Sequence, residues 1–98
     1  MAQYFNITGA LTQELIAAGS NVRSSSIWLT NIHASDAVAV DLYLEKDSKG
    51  KFYLTKSKSI ANASYLLLEN VGFSSKPGEF GLYIKLSAAD SAVDVIIK

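Results

Sequence analysis

His33 is the one histidine of the chain, and it sits in the run Asn31-Ile32-His33-Ala34-Ser35-Asp36, beside a hydroxyl and a carboxylate. Nucleophilic hydrolysis needs a hydroxyl, a base to take its proton and a third group to orient the base. These residue types therefore raise a small hydrolase centred on His33 as one reading. Adjacent serine and aspartate are equally the material of a polar turn, where a histidine is merely solvated.

Metal binding by His33 would need carboxylate partners, and Asp36, Asp41 and Glu45 are spread along the chain rather than set at ligand spacing. Calcium would require Asp47, Asp90 or Glu79 to converge with backbone carbonyls. Solvated turn carboxylates are the simpler account, so no metal site is expected. The chain has no cysteine, which removes disulfides, thiol nucleophiles and thiolate metal sites together. Its glycines at 9, 19, 50, 72, 78 and 81 are scattered through turns and build no phosphate-binding loop, so no cofactor is expected. Catalysis is accordingly not expected.

Lys46, Lys49, Lys51, Lys56 and Lys58 gather around one segment that also carries Phe52 and Tyr53, the ingredients of a phosphate stripe with stacking platforms. Glu45 and Asp47 interrupt it, and lysines along a strand are a common guard against sheet-to-sheet aggregation. Lysine and arginine balance aspartate and glutamate at nine each, so no long-range field gathers nucleic acid or anionic lipid. Neither is expected as a partner. Near neutrality also weakens the self-repulsion that keeps small proteins apart.

The elements that would position these residues are strands. Val38, Val40, Leu42 and Leu44 alternate with Ala39, Asp41, Tyr43 and Glu45, the period of two that marks a half-buried strand. Asp47-Ser48-Lys49-Gly50 then supplies a reversal, from which Lys51 to Lys56 returns antiparallel with Phe52 and Leu54 facing the core. Lys76-Pro77-Gly78-Glu79 is a second turn, followed by the strand Phe80, Leu82, Ile84, Leu86 against Gly81, Tyr83, Lys85. Ser87 to Ser91 turns the chain into a last strand with Val93, Val95 and Ile97 inward. Ser24 to Asn31 reads as a strand from its β-branched and aromatic content. Tyr65 to Leu68, a short continuous apolar run, reads as a strand buried on both faces that leads into a loop from Val71 to Lys76. Leu11, Leu15 and Ala18 sit at helical spacing, but Thr12 to Ile16 suits a strand or an arm as well.

Seven or eight short strands with turn signals between them imply an all-β fold, an antiparallel β-sandwich with Greek-key or jelly-roll connections. Ninety-eight residues suit one domain, 1–98, with 1–20 either a first strand or an extended arm onto a neighbour. Met1 to Thr8 lacks the basic flank and apolar run of a signal or transit peptide, and the apolar runs fall far short of the roughly 20 residues that cross a bilayer. A soluble chain without a membrane partner is expected. Asn6-Ile7-Thr8 and Asn62-Ala63-Ser64 match the glycosylation triplet, a pattern that short sequences reach by chance.

The outward beat of the strands carries Tyr43, Tyr53, Tyr83 and Ile96, joined by Trp28 if Ile27 and Leu29 point inward. On one outer face these large side chains would make an anchor surface for another protein, since aromatic residues give wide contact at small entropic cost. They are the candidate partner interface.

The segments Ser26-Ile27-Trp28-Leu29-Thr30-Asn31 and Val38-Ala39-Val40-Asp41-Leu42-Tyr43-Leu44 resemble small virion proteins of tailed bacteriophages, in which an I-x-L-x-N strand leads into a V-x-V-x-L-x-L strand. Tyr53-Leu54 is followed by a Ser/Asn/Ala-rich connection, Ser57 to Ser64. The closing run Leu86-Ser87-Ala88-Ala89-Asp90-Ser91-Ala92-Val93-Asp94-Val95 is similar to the L-x-x-G-D-x-(V)-V ending of that group, with Ala89 where glycine is usual. The resemblance runs from residue 24 onward. It implies a non-enzymatic virion component without cofactor: a capsid decoration or cement protein, or alternatively a neck, tail or fibre subunit, bound to the major capsid protein or to neck and tail subunits and assembling as a homo-oligomer. A soluble carbohydrate- or peptide-binding module using Trp28, Tyr43 and Tyr83 as a stacking platform is the reading from a different class.

Overall fold

The computed structural model describes residues 3–46, 49–75 and 80–98, with the side chain of Ser74 left aside. Among them are eight strands and no helix: β1 (Gln3–Thr8), β2 (Gln13–Ile16), β3 (Arg23–Asn31), β4 (Val38–Lys46), β5 (Gly50–Ile60), β6 (Tyr65–Ser74), β7 (Gly81–Leu86) and β8 (Ala92–Ile97). They form two antiparallel four-stranded sheets, β1-β8-β3-β6 and β2-β7-β4-β5. Only β4 and β5 are consecutive strands paired within a sheet. Every other connection crosses between the sheets, which is the double Greek key of a jelly-roll sandwich.

Alternation places the core. Ile27 and Leu29 from β3, Val38, Val40 and Leu42 from β4, Leu82, Ile84 and Leu86 from β7, and Val93, Val95 and Ile97 from β8 form one buried cluster between the layers. Phe5, Leu44, Leu66 and Leu68 pack around its margin.

Two alternatives left open by the sequence are decided in favour of strands, and other expectations shift. The segment with helical spacing is strand β2, and Leu11 lies outside it in solvent. Residues 3–8 are not a free arm but an edge strand paired with β8 from Gln3–Ile97 to Thr8–Ala92; Met1 and Ala2 lie outside the described residues. The return strand is longer than Lys51 to Lys56, because β5 runs on to Ile60 through a bulge near Ser57, whose φ is 52°. Phe52 keeps the inward beat opposite Leu44 but is not buried: it is 52% exposed at the mouth of the sandwich, edge-on to Phe80 with ring centroids 5.6 Å apart. Tyr65 to Leu68 is not buried on both faces. It belongs to edge strand β6, where Leu66 and Leu68 turn inward and Tyr65 and Leu67 outward. β6 also continues through the stretch expected as a loop from Val71.

Gly50 closes the β4–β5 reversal at φ 85°, the left-handed conformation that turn requires. Asp47 and Ser48 of that turn, and all of Lys76-Pro77-Gly78-Glu79, lie outside the described residues.

Candidate functional site

The His33 loop is the first place to look for chemistry, and its geometry begins with Asn31. This residue occupies the inward beat of β3, is wholly buried, and has every polar atom of its side chain engaged. Its Nδ2 donates to the carbonyls of Asp36 (3.0 Å) and Ile60 (2.9 Å), and its Oδ1 accepts from the N–H of His33 (2.9 Å). The β3–β4 loop is thereby tied to the end of β5.

Within that loop the His33 ring is itself committed. Nδ1 accepts the backbone N–H of Ser35 (3.1 Å) and of Asp36 (3.0 Å). A nitrogen that accepts cannot also carry the proton, so the neutral ring holds it on Nε2 and donates it to Asp90 Oδ2 at 3.1 Å. The Ser35 hydroxyl faces Asp36 Oδ1 at 3.3 Å and is not bonded to the ring, so the nucleophile–base pair of the hydrolase reading is not made.

The turn between β7 and β8 brings Asp90 to a histidine 57 positions away, and the ligand atoms of His33, Asp36 and Asp90 lie within 4.8 Å of one another. The cluster is nonetheless poorly built for a metal. A ligating imidazole donates the proton on its second nitrogen to an acceptor, whereas Nδ1 here faces two donors. Asp41 and Glu45 point elsewhere on the outer beat of β4, and Asp47 and Glu79 lie outside the described residues. His33→Ala is expected to lower stability by about 1 kcal/mol, the worth of partly exposed hydrogen bonds, in a thermal or urea melt.

The candidate interface residues divide between the two outer faces of the sandwich. Trp28 and Ile96 lie on the sheet containing β3 and β8, while Tyr43, Tyr53 and Tyr83 lie on the other sheet. The single anchor surface expected from the sequence is therefore corrected to two opposite surfaces. The outward beat is common to both sheets, and parity alone does not say which sheet a strand joins.

On each face the register draws the side chains into one row across all four strands. On the second sheet the row is Glu14–Tyr83–Tyr43–Tyr53. Tyr43 stacks on Tyr83 (5.6 Å, 15°), leans on Tyr53 (5.2 Å, 49°), and has the Lys51 ammonium 5.0 Å over its ring. The Tyr83 hydroxyl donates to Glu14 (3.1 Å). Tyr43 is consequently only 4% exposed although it points away from the core. Lys56 lies 4.6 Å over Tyr53 and 3.9 Å from Asp41, so two lysines of the supposed phosphate stripe are laid along aromatic rings at the β5 edge.

On the first sheet the row is Tyr4–Ile96–Trp28–Leu67. Trp28 stacks flat on Tyr65 (4.6 Å, 16°), and its Nε1–H donates to Thr30 Oγ1 (3.1 Å). Tyr4 is 71% exposed, and Trp28 and Leu67 are each 37% exposed. Beside the row a shallow groove of about 340 Å³ is lined by Ser26, Trp28, Leu67, Glu69, Ile96 and Lys98, its small floor residue Ser26 flanked by a carboxylate and an ammonium. Tyr4, Tyr65 and Leu67 were not among the candidates from the sequence. Tyr4 was legible as the outward partner of Phe5 and Ile7, but Leu67 was hidden in a run of three leucines that conceals its parity.

No family model matches the sequence, and no curated protein matches it. Solved structures do. The chain superposes on PirA with a TM-score of 0.60 at 7% identity, over 98% of this chain and 91% of that one. It also matches the SPBc2 prophage-derived protein YomS (TM-score 0.47, 12% identity, 99% and 94% covered) and the Yersinia pseudotuberculosis-derived mitogen (TM-score 0.46, 13% identity, 99% and 81% covered). At such identity the likeness to PirA is one of fold, an eight-stranded β-sandwich.

Proposed function

We propose that this chain is a non-enzymatic virion structural protein, a capsid decoration protein that seats the outer face of its first sheet on neighbouring subunits. The observation that carries the reading is the row Tyr4–Ile96–Trp28–Leu67, four large side chains left facing outward in register across one whole sheet. Rows of this kind supply the buried aromatic anchors of protein interfaces, with polar neighbours such as Asn6, Asp94 and Glu69 as the rim. The sandwich gives them a rigid backing, because the inward side chains of the same strands are locked in the core. The commitment of both His33 ring nitrogens to structural hydrogen bonds supports contact rather than catalysis as the mode of action. The jelly-roll architecture is shared by viral capsid and lectin domains, so the fold is compatible with the proposal without choosing it.

The test is peptide mass spectrometry of purified particles from the phage that encodes the chain, followed by add-back of recombinant protein. Decoration of the capsid requires a copy number comparable to the major capsid protein; a few copies per particle place the chain in neck, tail or fibre, and absence from particles overturns the virion reading. In the add-back, Trp28→Ala and Ile96→Ala are each expected to weaken particle binding by about thirtyfold or more, the effect of losing an anchor worth ~2 kcal/mol, at a temperature where the melt shows the variant still folded.

The groove beside Trp28 supports a second reading. An exposed indole flanked by Glu69 and Lys98 fits the apolar face and hydroxyls of a sugar ring. Reproducible binding on a glycan array that is lost in Trp28→Ala, together with absence from particles, would favour that module.

A further inference from the structure

The four sheet edges are not protected alike. β5 carries exposed Lys51, Lys56 and Lys58 and two register shifts against β4, and β2 is four residues long with a shift of its own. These are devices that keep an edge from pairing with another chain. β1 is short, and its middle outward residue, Asn6, is polar and already donates to Asp94 at 2.6 Å. β6 is the least guarded over Tyr65 to Glu69: it has no lysine and no proline there, its one register shift falls beyond Glu69, and Tyr65 and Leu67 face outward.

The hydrogen-bond alternation shows which backbone groups that edge offers. Asn31 N–H donates to Ser64 O (2.9 Å), so the bonded partners along the β3–β6 ladder are Leu29 with Leu66 and Ile27 with Leu68. On the other side of β3, Ser26 and Lys98 exchange both bonds (3.0 and 2.9 Å), which places the even-numbered residues of β3 in the β8 ladder. The N–H and C=O groups of Tyr65, Leu67 and Glu69 therefore point away from the sheet. Asn70 and Gly72, with φ of 58° and 65°, end the regular segment just beyond.

We propose that β6 is a self-association edge and that its partner is the β6 strand of a second copy, antiparallel about a two-fold axis at Leu67. This register pairs Leu67 with Leu67 and Tyr65 with Glu69 of the other copy, so that three residues on each side exchange backbone bonds. Glu69 faces a phenol rather than another carboxylate, and Leu66 meets Leu68 on the inner face. The apolar row of the first sheet then runs unbroken from Trp28 through the two Leu67 side chains to the second Trp28. A two-fold interface requires such self-complementarity, and Leu67 is the midpoint of the unguarded stretch. The pairing concerns the chain alone and stands whether or not the joined face docks onto a virion.

Sedimentation equilibrium tests it. The unmodified chain sediments as a concentration-dependent dimer. Leu67→Lys and Leu67→Glu each weaken the dimer by at least about tenfold, because like charges directly opposed across strands repel. An equimolar mixture of the two variants dimerises again. A chain monomeric at every concentration, a dimer indifferent to both charges, a mixture that stays monomeric, or open polymers through β1 would each overturn the proposal. An independent readout uses the absence of native cysteine: opposed Cα atoms in such a hydrogen-bonded pair are about 5.5 Å apart, within the span of a short bis-maleimide. Leu67→Cys then crosslinks to a covalent dimer with that reagent and Lys58→Cys, on the guarded edge, does not; equal crosslinking of the two counts against the pairing.

Discussion

Asn31→Ala is expected to lower the free energy of unfolding by about 3 kcal/mol, and the melting temperature by roughly 12–24 °C at the ~4–8 °C per kcal/mol typical of a domain this size. The substitution removes a side-chain partner from two carbonyls and one N–H. Ile60 is 3% exposed, so water does not readily replace the amide at its carbonyl, and a buried polar group left unpaired costs about 1–3 kcal/mol. The carbonyl of Asp36 and the N–H of His33 lie nearer the surface and recover part of their loss from solvent, which keeps the total at this level. Asn31→Asp should be worse still, since it retains the acceptor for His33 but turns a carboxylate against two carbonyl oxygens. Ser35→Ala, a few residues along the same loop, removes only an exposed contact and should leave the melt unchanged. Urea titrations of the three variants check the order. An Asn31→Ala loss below about 1 kcal/mol would mean that the loop is held by something other than this side chain.

Asn31 also shows what the sequence allowed and what it withheld. Its position on the inward beat after Ile27 and Leu29 is a legible signal, because a polar residue facing a core must find partners. Two of its partners, His33 and Asp36, are close along the chain, while Ile60 arrives through the β4–β5 hairpin as the register partner of Val38, at the far side of a bulge that the sequence does not reveal. The strands themselves were legible wherever one face is buried: Val38 to Leu44, Leu82 to Leu86 and Val93 to Ile97 alternate cleanly and fold as they read. Edges were not. A strand with a neighbour on one side only loses the pressure that keeps its alternation strict, and a bulge reverses its parity. The leucines of β6 were misplaced for the first reason, whereas Phe52 keeps its inward beat opposite Leu44 and is exposed because it lies at the open end of the sandwich.

The candidate interface residues were legible by parity but not by sheet. Period-two reading correctly set Trp28, Tyr43, Tyr53, Tyr83 and Ile96 on the outward beat, but a sandwich has two outsides. Because each connection except β4–β5 crosses between layers, consecutive strands such as β3 and β4 turn their outward residues in opposite directions. Pairing register, not sequence distance, gathers the side chains: Tyr4 and Leu67 join Trp28 through β8 and β6, and Glu14 joins Tyr43 through β7. The contact of His33 with Asp90 likewise depends on two loops that the fold brings together.

Tyr43→Ala is expected to destabilise the fold by about 3 kcal/mol, the lower end for removing a large buried aromatic side chain. The side chain points outward and would be a poor candidate for stability on parity alone. It is nevertheless enclosed by Tyr53, Tyr83 and the Lys51 chain, so its loss strips two ring contacts and one cation contact at once. The gap opens to the outer face rather than the core, where neighbouring side chains and water can partly fill it. Tyr43→Phe keeps the ring contacts and should lie within about 0.5 kcal/mol of the parent, because the packing argument assigns the ring, not the hydroxyl, the stabilising role. Tyr53→Ala, at 42% exposure, should cost well under half as much as Tyr43→Ala. Chemical denaturation of the three variants gives this order directly, and a Tyr53→Ala loss as large as that of Tyr43→Ala would refute it. Particle binding by the same proteins then separates the two faces. If the first sheet is the docking surface, Tyr53→Ala binds as the parent does while Trp28→Ala does not, and the reverse result would move the interface to the tyrosine row.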